Sequence, residues 1–567
     1  MKTPDWRSIG WFSVGVATGS LLALTLILGV DLFSESDGPA SDEAVSWSLE
    51  PATAMGPPHF SEEAAAAGIN HIYDGEFTFF VGGGVAVFDC DDDGRPDLYF
   101  AGGTNPASLY HNESNIGGAL QFTELPDPNT DLTEVTGAYP LDIDADGRID
   151  LAVLRVGANV LLRGIGGCRF ERANDALPFD GGDAWTVGFS ATWEGTAEFP
   201  TLAFGNYIAL DKAGDPTYTC EDNVLMRPQG DGGYPVATAL APGWCTLSAL
   251  FSDWNRSGDA DLRMANDRQY YRDGEEQLWH ITRGEAPRLY TQDEGWLPLQ
   301  IWGMGIASQD LNGDGRPEVL IASMADNKLQ ALDENAAGPS YHDIAIRRGV
   351  TAHRPFTGDQ TLPSTAWHPE FRDVNNDGFV DLFISKGNVD EMPEYAAADP
   401  SNLLLGQADG SFVESAETAG LLSFGRSRGA ALVDFNLDGM LDLVEVNRRE
   451  NVKLWRNVGS GATTSPLPIG NWIQIRLEQP SANSYGIGSW VEVKAGGRTV
   501  QRELTIGGGH ASGQLGWIHF GLGDADSAQV RVQWPGGEFG PWQRIEANSF
   551  ALIDRNASDV LIWTPNA

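Results

Sequence analysis

The stretch DCDDDGRPDL, residues 89–98, places five carboxylates within nine positions and continues directly into the apolar run YFAGG. Carboxylates at this density repel one another, so a folded chain keeps them close only when something neutralises them. Alternating aspartates followed by a glycine, which permits a sharp turn, are how a chain wraps oxygen ligands around Ca²⁺. Counted from the first aspartate, Asp occupies positions 1, 3, 5 and 9 and Gly occupies position 6.

The same pattern returns five times along the chain, as DIDADGRIDL from Asp142, DWNRSGDADL from Asp253, DLNGDGRPEV from Asp310, DVNNDGFVDL from Asp373 and DFNLDGMLDL from Asp434. Position 1 is always Asp, position 3 is Asp or Asn, and position 6 is always Gly. Position 5 departs only at Ser257 and position 9 only at Glu318. Position 7 shows no common chemistry, as expected of a residue that ligates through its backbone carbonyl.

The spacing of these loops predicts the architecture. They begin 53, 111, 57, 63 and 61 residues apart, and the interval of 111 is about two ordinary ones. FSATWEGTAEFPTLAFGNYI (189–208) fills that gap with the apolar flanks of a repeat but without its aspartates, so we interpret it as a degenerate third repeat that binds no metal. The loops are therefore named by repeat as loops 1, 2, 4, 5, 6 and 7.

The residues that follow each loop are short, β-rich runs such as LAVLRVG and VLIASM, so each loop should join two strands of a hairpin. An EF-hand would instead need flanking helices and a Glu at about position 12. Seven units of about 60 residues predict radial repetition of small antiparallel sheets in a β-propeller. An open solenoid is the alternative, although no stretch resembles a capping repeat.

The predicted metal ligands occupy positions 1, 3, 5, 7 and 9 of every loop. They are Asp89, Asp91, Asp93, Arg95 and Asp97 in loop 1; Asp142, Asp144, Asp146, Arg148 and Asp150 in loop 2; Asp253, Asn255, Ser257, Asp259 and Asp261 in loop 4; Asp310, Asn312, Asp314, Arg316 and Glu318 in loop 5; Asp373, Asn375, Asp377, Phe379 and Asp381 in loop 6; and Asp434, Asn436, Asp438, Met440 and Asp442 in loop 7. The residues at position 7 are expected to contribute only their backbone carbonyl oxygens.

The repeated DxDxDGxxDL motif resembles the FG-GAP/VCBS repeat of integrin α-subunit propellers and their bacterial relatives. YGIGSWVEVKAGGR (485–498) and TIGGGHASGQLGWIHFGLGDADSAQVRVQWPGG (505–537) resemble the ASPIC/UnbV domain, which closes proteins of the cartilage acidic protein family. Together the two resemblances cover roughly residues 59–555. They imply a seven-bladed, calcium-binding propeller followed by a small β domain, and they imply no reaction. We expect about four to six calcium sites, with none in the third repeat and a site in the fourth that is weakened by Asn255 and Ser257.

The N-terminus carries a membrane-anchor pattern. WFSVGVATGSLLALTLILGV has no charged residue across twenty positions, which is long enough to cross a bilayer as a helix. Lys2 and Arg7 precede it and acids follow it, so the positive-inside bias predicts a single-pass membrane protein with a cytoplasmic N-terminus and a periplasmic or extracellular propeller. Secretion after signal-peptide cleavage is the alternative.

The sequence thus predicts an all-β protein of six segments: a cytoplasmic N-terminus (1–10), a transmembrane signal anchor (11–30), an acidic Pro/Ser linker (31–58), the seven-bladed propeller (59–460), a second linker (461–470) and a small β domain (471–567). Four cysteines allow several pairings, of which a disulfide from Cys220 to Cys245 would close a loop-like insertion. A formal charge of −43 excludes nucleic acid as a partner, because its phosphates would be repelled.

Catalytic motifs are absent from the sequence: there is no HExxH, no GxSxG and no GxxxxGK[ST]. His510 in GGGHASG is interpreted as a turn residue of the C-terminal domain, and His368, five residues before loop 6, as a structural residue. Two functions remain. One is a membrane-tethered, calcium-stabilised binding, adhesion or scaffold module for a protein or glycan. The other is a calcium-dependent enzyme outside the cytoplasm that acts on polysaccharides or phosphoesters.

Overall fold

The computed structural model of the chain describes residues 54–565, apart from residues 212, 231, 268–273, 352–361 and 481. Regular structure in these residues is almost entirely β. The exceptions are single turns of helix: 3-10 turns at Phe77–Phe79 and Gln292–Glu294, and the short helices α1 (Ala345–Arg348) and α2 (Ala416–Ala419).

Seven small sheets follow one another along the chain. The first strand, β1 (Phe60–Glu62), belongs to the last of them. Sheets 1 to 3 consist of β2 (Val85–Phe88), β3 (Asp97–Phe100), β4 (Ser108–Asn112) and β5 (Phe122–Glu124); β6 (Val135–Leu141), β7 (Asp150–Arg155), β8 (Val160–Gly164) and β9 (Phe170–Arg172); and β10 (Thr186–Thr192), β11 (Thr201–Asn206), β14 (Asn223–Met226) and β15 (Ala237–Leu240). A separate hairpin, β12 (Ile208–Leu210) and β13 (Pro216–Cys220), is inserted into sheet 3.

The remaining four sheets repeat the same order. Sheets 4 to 7 consist of β16 (Thr246–Ser252), β17 (Asp261–Asn266), β18 (Gln277–His280) and β19 (Arg288–Leu289); β20 (Gly303–Gln309), β21 (Glu318–Ser323), β22 (Lys328–Leu332) and β23 (Tyr341–Asp343); β24 (Ala366–Arg372), β25 (Asp381–Lys386), β26 (Asn402–Gly406) and β27 (Phe412–Glu414); and β28 (Arg426–Val433), β29 (Asp442–Arg448) and β30 (Lys453–Asn457) with β1. All neighbouring strands in these seven sheets pair antiparallel.

The first strand of each sheet, called here its inner strand, packs against the inner strand of the next sheet. These contacts run from β2 through β6, β10, β16, β20, β24 and β28, and β28 contacts β2 again. Inner and second strands are buried on both faces, which is why they read as continuous apolar runs such as VAVF and DLAVL. The short fourth strands are more exposed: in β5, Phe122 is buried while Thr123 and Glu124 are exposed. The arrangement is propeller-like.

The C-terminal region forms two further four-stranded sheets. Its strands are β31 (Asn471–Glu478), β32 (Trp490–Ala495), β33 (Arg498–Glu503), β34 (Gly513–Gln514), β35 (Ile518–Gly523), β36 (Ser527–Gln533), β37 (Gln543–Glu546), β38 (Ser549–Asp554) and β39 (Leu561–Trp563). One sheet has the order β35-β31-β38-β39 and the other β33-β32-β36-β37. Alternating residues such as Ile473, Ile475, Val491 and Val493 face each other to form its core. β34 leaves this domain and pairs in parallel with β2 of sheet 1.

The third repeat is a complete sheet, and residues 193–200 link its first two strands where a metal loop would stand. Glu194 in that link accepts a hydrogen bond from Nε of Arg227 at 2.7 Å. Both pairs of cysteines are disulfide-bonded, Cys90 with Cys168 and Cys220 with Cys245. The disulfide between Cys220 and Cys245 links the inserted hairpin to the residue directly before sheet 4.

The prediction of a single-pass membrane protein is wrong on this structure. In the part of the chain that is described, no helix is long and apolar enough to cross a membrane. The apolar segment 11–30, from which the prediction came, and the flanking segments 1–10 and 31–53 lie outside the described residues.

Candidate metal centres

Each of the six acidic loops joins the inner strand of its sheet to the second strand, so all six lie at the same end of their sheets. They share one backbone conformation. Position 4 has φ between 55° and 76° and position 6 between 79° and 90° in every loop. Position 6 is always glycine, which adopts the left-handed region without strain. Position 4 has no common residue type, so nothing in the sequence marked it: it is Asp92, Ala145, Arg256, Gly313, Asn376 and Leu437.

The carboxylate at position 1 holds this conformation in place. In all six loops it accepts a hydrogen bond from the backbone N–H of position 6 at 2.7–3.0 Å. The backbone N–H of position 7 in turn donates to the side-chain oxygen at position 5, at 2.8–3.3 Å. Aspartate is needed at position 1 because its short side chain places both oxygens within reach of the turn that follows.

The acid at position 9 ties the loop to its sheet. Asp97 accepts from the N–H of Cys90 at 2.8 Å and from the N–H of Asn112, at the end of the third strand, also at 2.8 Å. Asp150, Asp381 and Asp442 make the same two bonds in loops 2, 6 and 7. In loop 4, the indole N–H of Trp254 takes the place of the first donor to Asp261. Position 9 is therefore structural whether or not it also reaches a metal.

Three carboxylates converge in loops 1 and 2. Oxygen atoms of Asp89, Asp91 and Asp97 lie within 4.8 Å of one another, and so do those of Asp142, Asp144 and Asp146. In both loops the arginine at position 7 contacts the aspartate at position 5: Arg95 Nη1 lies 2.8 Å from Asp93 and Arg148 Nη1 lies 3.0 Å from Asp146. Oxygen ligands of this kind suit a hard divalent cation.

Burial makes the ionised form of these acids costly. It raises the pKa of Asp150 and of Glu318 to about 8, and that of Asp89 to about 6, with neighbouring aspartates raising each of them further. In loops 6 and 7 burial and the mutual repulsion of the loop acids hold the pKa values of position 1 and position 9 well above their ordinary range. A bound divalent cation would offset this repulsion directly.

The C-terminal domain explains why loops 6 and 7 are so deeply buried, since it lies over the loops. Its Gln474 Nε2 donates to Asp434 of loop 7 at 2.6 Å, and Ser484 Oγ donates to Asp142 of loop 2 at 2.6 Å. Glu503 accepts from the N–H of Asp253 in loop 4 at 2.8 Å.

Loops 1, 5 and 6 are contacted as well. Trp517 Nε1 donates to the carbonyl of Gly94 in loop 1 at 3.1 Å, and His519 Nε2 lies 2.7 Å from Asn376 Oδ1 in loop 6. Gln309, directly before loop 5, donates to the carbonyl of Gln501 at 2.6 Å. Arg498 donates to the carbonyl of Asp377 and stacks 4.0 Å over the ring of Phe379. The domain therefore covers the end of the sheets that bears the acidic loops.

Residues 505–514, TIGGGHASGQ, extend from the C-terminal domain between the inner strands, and we call them the plug segment. Backbone bridges join it to sheets 2, 3, 4 and 5 at Ala138, Ala191, Leu250 and Ile306. Its last two residues, β34, pair with sheet 1. It reaches sheet 6 through His368 and sheet 7 through the close approach of Ser512 to Gly429.

His510 lies in the middle of this plug segment, at a bend of the backbone, and its side chain is fully buried. Its backbone N–H donates to Nδ1 of His368 at 3.0 Å, and its ring nitrogens lie 3.1 Å from the N–H of Gly82 and 3.1 Å from the carbonyl of Met304. Burial lowers the pKa of His510 to about 3, so the ring is neutral. Both histidines are structural in this arrangement.

Small residues make room for the plug segment, and their spacing is a signal that the motif search missed. The residue five positions before the first aspartate is Gly84, Gly137, Ser248, Gly305, His368 or Gly429. A Cβ on Gly84 would lie 1.7 Å from the carbonyl oxygen of Ala511, and one on Gly137 would lie 2.3 Å from it. His368 breaks the pattern because it is the residue that bonds to His510.

Comparison with protein families identifies both parts of the chain. The FG-GAP-like repeat family matches residues 89–153, 310–384 and 373–445, and the ASPIC and UnbV family matches residues 479–560. Cartilage acidic protein 1 of Xenopus tropicalis is 24% identical over 247 residues, which are 42% of this chain and 34% of that protein. The match thus spans about a third of the length of this curated relative.

Solved structures resemble the chain at low sequence identity. BBS1N, crystallised in complex with ARL6DN, gives a TM-score of 0.40 at 12% identity, with 72% of this chain and 98% of that chain covered. An Agrocybe aegerita lectin that recognises non-reducing terminal N-acetylglucosamine gives 0.29 at 16% identity over 64% and 74%. A Trichoderma reesei carbohydrate-active enzyme of family AA12 gives 0.32 at 10% identity over 72% and 98%.

The matched ranges coincide with the acidic loops of sheets 1, 2, 5, 6 and 7 and with the domain that covers them. The chain therefore carries FG-GAP-like repeats followed by a C-terminal ASPIC/UnbV domain.

Proposed function

We propose that this protein is a calcium-binding, seven-bladed propeller that works as a binding module for a protein or a glycan. The observation that carries the calcium part is the single backbone conformation of all six acidic loops, in which position 1 caps the turn; three carboxylates also converge in each of loops 1 and 2. The inner-strand contacts that return from β28 to β2, and the addition of β1 to sheet 7, support seven blades.

Loops 6 and 7 are the strongest candidates for calcium. Asp373, Asp377 and Asp381 are buried together in loop 6, and Asp434 and Asp442 in loop 7. Uncompensated buried carboxylates cost several kcal/mol each in effective desolvation. Calcium would remove that cost and would fix the end of the sheet on which the C-terminal domain lies.

The binding surface of this proposal is the end of the sheets opposite the loops, because the C-terminal domain covers the loop end and the plug segment occupies the centre. The opposite end carries the inserted hairpin β12–β13 and the exposed apolar residues Ile72, Phe77 and Phe424, which are 39%, 40% and 47% exposed. Binding residues are often found on such connecting segments, which a rigid scaffold positions.

Thermal unfolding tests the calcium part. We expect millimolar Ca²⁺ to raise the Tm of the chain over its value in EDTA, and Mg²⁺ to raise it much less, because a ligand specific for the native state stabilises it by mass action. Asp438→Asn with Asp434→Asn should remove the part of this shift that belongs to loop 7. Equal Tm values in Ca²⁺, Mg²⁺ and EDTA would refute calcium binding.

A glycan array tests the binding surface. The chain should retain selected glycans in calcium, and Phe77→Ala with Phe424→Ala should abolish that retention. Leu467→Ala is the matched control, since Leu467 is 59% exposed in the connection before the C-terminal domain. If no glycan binds, purified candidate protein partners are tested against the wild type, the Phe77→Ala with Phe424→Ala variant and the Leu467→Ala control. Binding that survives Phe77→Ala with Phe424→Ala but is lost with Leu467→Ala would contradict the assignment of this face.

A further inference from the structure

A cavity of about 170 Å³ lies between the plug segment, the C-terminal domain and the inner strands of several sheets, and we call it the chamber. Its walls include Gln309, His368, Arg372, Arg502 and Thr505. Asp92, which is exposed, and Arg476, which is 22% exposed, also line it, so the chamber opens to solvent beside loop 1. It has room for several waters or for a small organic ion.

Arg502 brings a half-buried positive charge into this chamber. Its Nε donates to Gln309 Oε1 at 3.1 Å and its Nη2 donates to the carbonyl of Phe371 at 3.0 Å. Within the part of the chain that the structure describes, no carboxylate lies within ion-pair distance of Arg502, and Nη1 has no hydrogen-bond partner. Burial and the neighbouring Arg372 lower the pKa of Arg502 to about 9, while Glu370 and Asp373 act to raise it, so the guanidinium is still charged at neutral pH.

Two of the acids that line the chamber, Glu370 and Glu503, are already hydrogen-bonded elsewhere. Glu370 accepts from Arg372 Nη2 at 2.8 Å, from Gln514 Nε2 at 2.6 Å and from the N–H of Leu432 at 3.0 Å. Glu503 accepts from Ser252 Oγ at 2.6 Å and from the N–H of Asp253 at 2.8 Å. Neither is free to swing onto Arg502 without leaving a buried donor unsatisfied, which costs about 1–3 kcal/mol.

We propose that the chamber binds a small oxyanion, a carboxylate or a tetrahedral sulfate-like group, on the free edge of Arg502. A guanidinium binds such groups through two parallel N–H···O bonds. Thr505 and His368 line the same space and complete a polar wall around the ligand. This site borders loop 1 through Asp89 and Asp92, and the proposal requires neither bound calcium nor the opposite face.

Acetate and sulfate are the probes. Thermal unfolding of the full chain is followed while either anion replaces chloride at constant ionic strength and constant calcium. Wild type should show a saturable rise in Tm that chloride does not give. Arg502→Gln keeps a side chain that can reach Gln309, and it should weaken the apparent affinity roughly ten- to hundredfold, the worth of a hydrogen bond to a charged group.

Arg544→Gln is the matched control, because Arg544 is an arginine of the same domain whose side chain is 59% exposed and does not line the chamber. It should leave the response unchanged. Crystals of wild type soaked in selenate should show an anomalous peak within hydrogen-bond distance of Arg502, and this result decides the matter if Arg502→Gln fails to fold. The proposal is overturned by equal responses of wild type and Arg502→Gln, by the absence of any saturable response, or by a chamber without selenate.

Discussion

At the scale of single residues, each acidic loop depends on two left-handed positions, and only in loop 5 are both of them glycine. An L-residue in the left-handed region costs about 1–2 kcal/mol. Ala145 and Leu437 nevertheless adopt it, at φ of 61° and 55°. The hydrogen bonds from position 1 to the turn are what hold them there, so the loops store a small strain that the aspartate offsets.

Two glycines at the same loop position should differ sharply when changed to alanine. A Cβ on Gly147 would meet nothing within 4 Å, so Gly147→Ala should cost only the left-handed strain, about 1 kcal/mol. A Cβ on Gly439 would lie 1.8 Å from the Trp472 ring of the C-terminal domain, so Gly439→Ala should cost about 3 kcal/mol or more. The free energy of unfolding in urea measures both, and equal costs would show that Trp472 does not pack as described.

The metal-free protein should lose stability as pH rises from about 6.5 to 8. Burial raises the native pKa of Asp150 and of Glu318 to about 8, so in this window the native chain holds protons that the unfolded chain has already released. The free energy of unfolding then falls, by at most about 1.4 kcal/mol per pH unit for each group. Below this window the buried His510 and His519, whose pKa values are lowered to about 3, make the free energy of unfolding rise with pH, because the unfolded chain protonates them and the native chain does not.

Calorimetry in EDTA across this pH range measures the effect. Glu318→Gln, which imitates the protonated side chain, should flatten part of the slope. Saturating calcium should flatten it too, because ligated carboxylates stay ionised at every pH in the window. A metal-free protein whose Tm rises between pH 6.5 and 8 would contradict these native pKa values.

At the scale of elements, much of the structure could be read from the sequence because the interactions concerned are local. A loop such as DIDADGRIDL fixes its own turn through Asp142 and Gly147, and the apolar run after it can only be a buried strand. The degenerate third repeat was recognised from its flanks alone. The placement of the plug segment could not be read, because Ala511 meets Gly84 across more than four hundred residues of chain.

The same limit applies to the candidate site. Gln474 and Ser484 bond to the first aspartates of loops 7 and 2, yet neither residue type nor spacing connects them with those loops. The partners of His510 could not be read either, because His368, Gly82 and Met304 come from three distant parts of the chain. The glycine five residues before the first aspartate of loops 1, 2, 5 and 7 was visible, and it becomes meaningful only with the plug segment in place.

The plug segment should be intolerant of a single methyl group on the strands around it. Gly84→Ala would place a Cβ 1.7 Å from the carbonyl oxygen of Ala511, and the backbone on both sides is fixed by hydrogen bonds. We expect a loss of about 3 kcal/mol or more and faster proteolysis within residues 505–514. Gly157→Ala is the control, since its Cβ would meet nothing within 4 Å. Proteolysis rates as slow as wild type in Gly84→Ala would show that the segment can sit elsewhere.

At the scale of the whole molecule, the C-terminal domain and the acidic loops should stabilise each other. The domain is hydrogen-bonded to position-1 aspartates of loops 2 and 7, and these carboxylates are proposed calcium ligands. Metal binding fixes their orientation, and by linkage whatever fixes the loops also favours the docked domain.

Chelation should therefore loosen the domain before it unfolds the sheets. Amide hydrogen exchange in Asn471–Glu478 should speed up in EDTA relative to calcium, while exchange in Ala237–Leu240, far from any acidic loop, should change little. Gln474→Ala with Ser484→Ala should reproduce part of this loosening in calcium. Exchange that responds equally in both strands would indicate general destabilisation rather than loss of docking.

The pairing of β1 with β30 has a consequence for how the protein is made. Sheet 7 joins Phe60–Glu62 to Lys453–Asn457, so this sheet cannot be completed until nearly four hundred further residues have left the ribosome. The plug segment, which contacts all seven inner strands, is translated later still. The sheets that are made first therefore lack the plug segment against their inner strands while synthesis continues, at roughly 5–20 residues per second. Emergence of the plug segment, rather than folding of any one repeat, then completes the contacts among the inner strands.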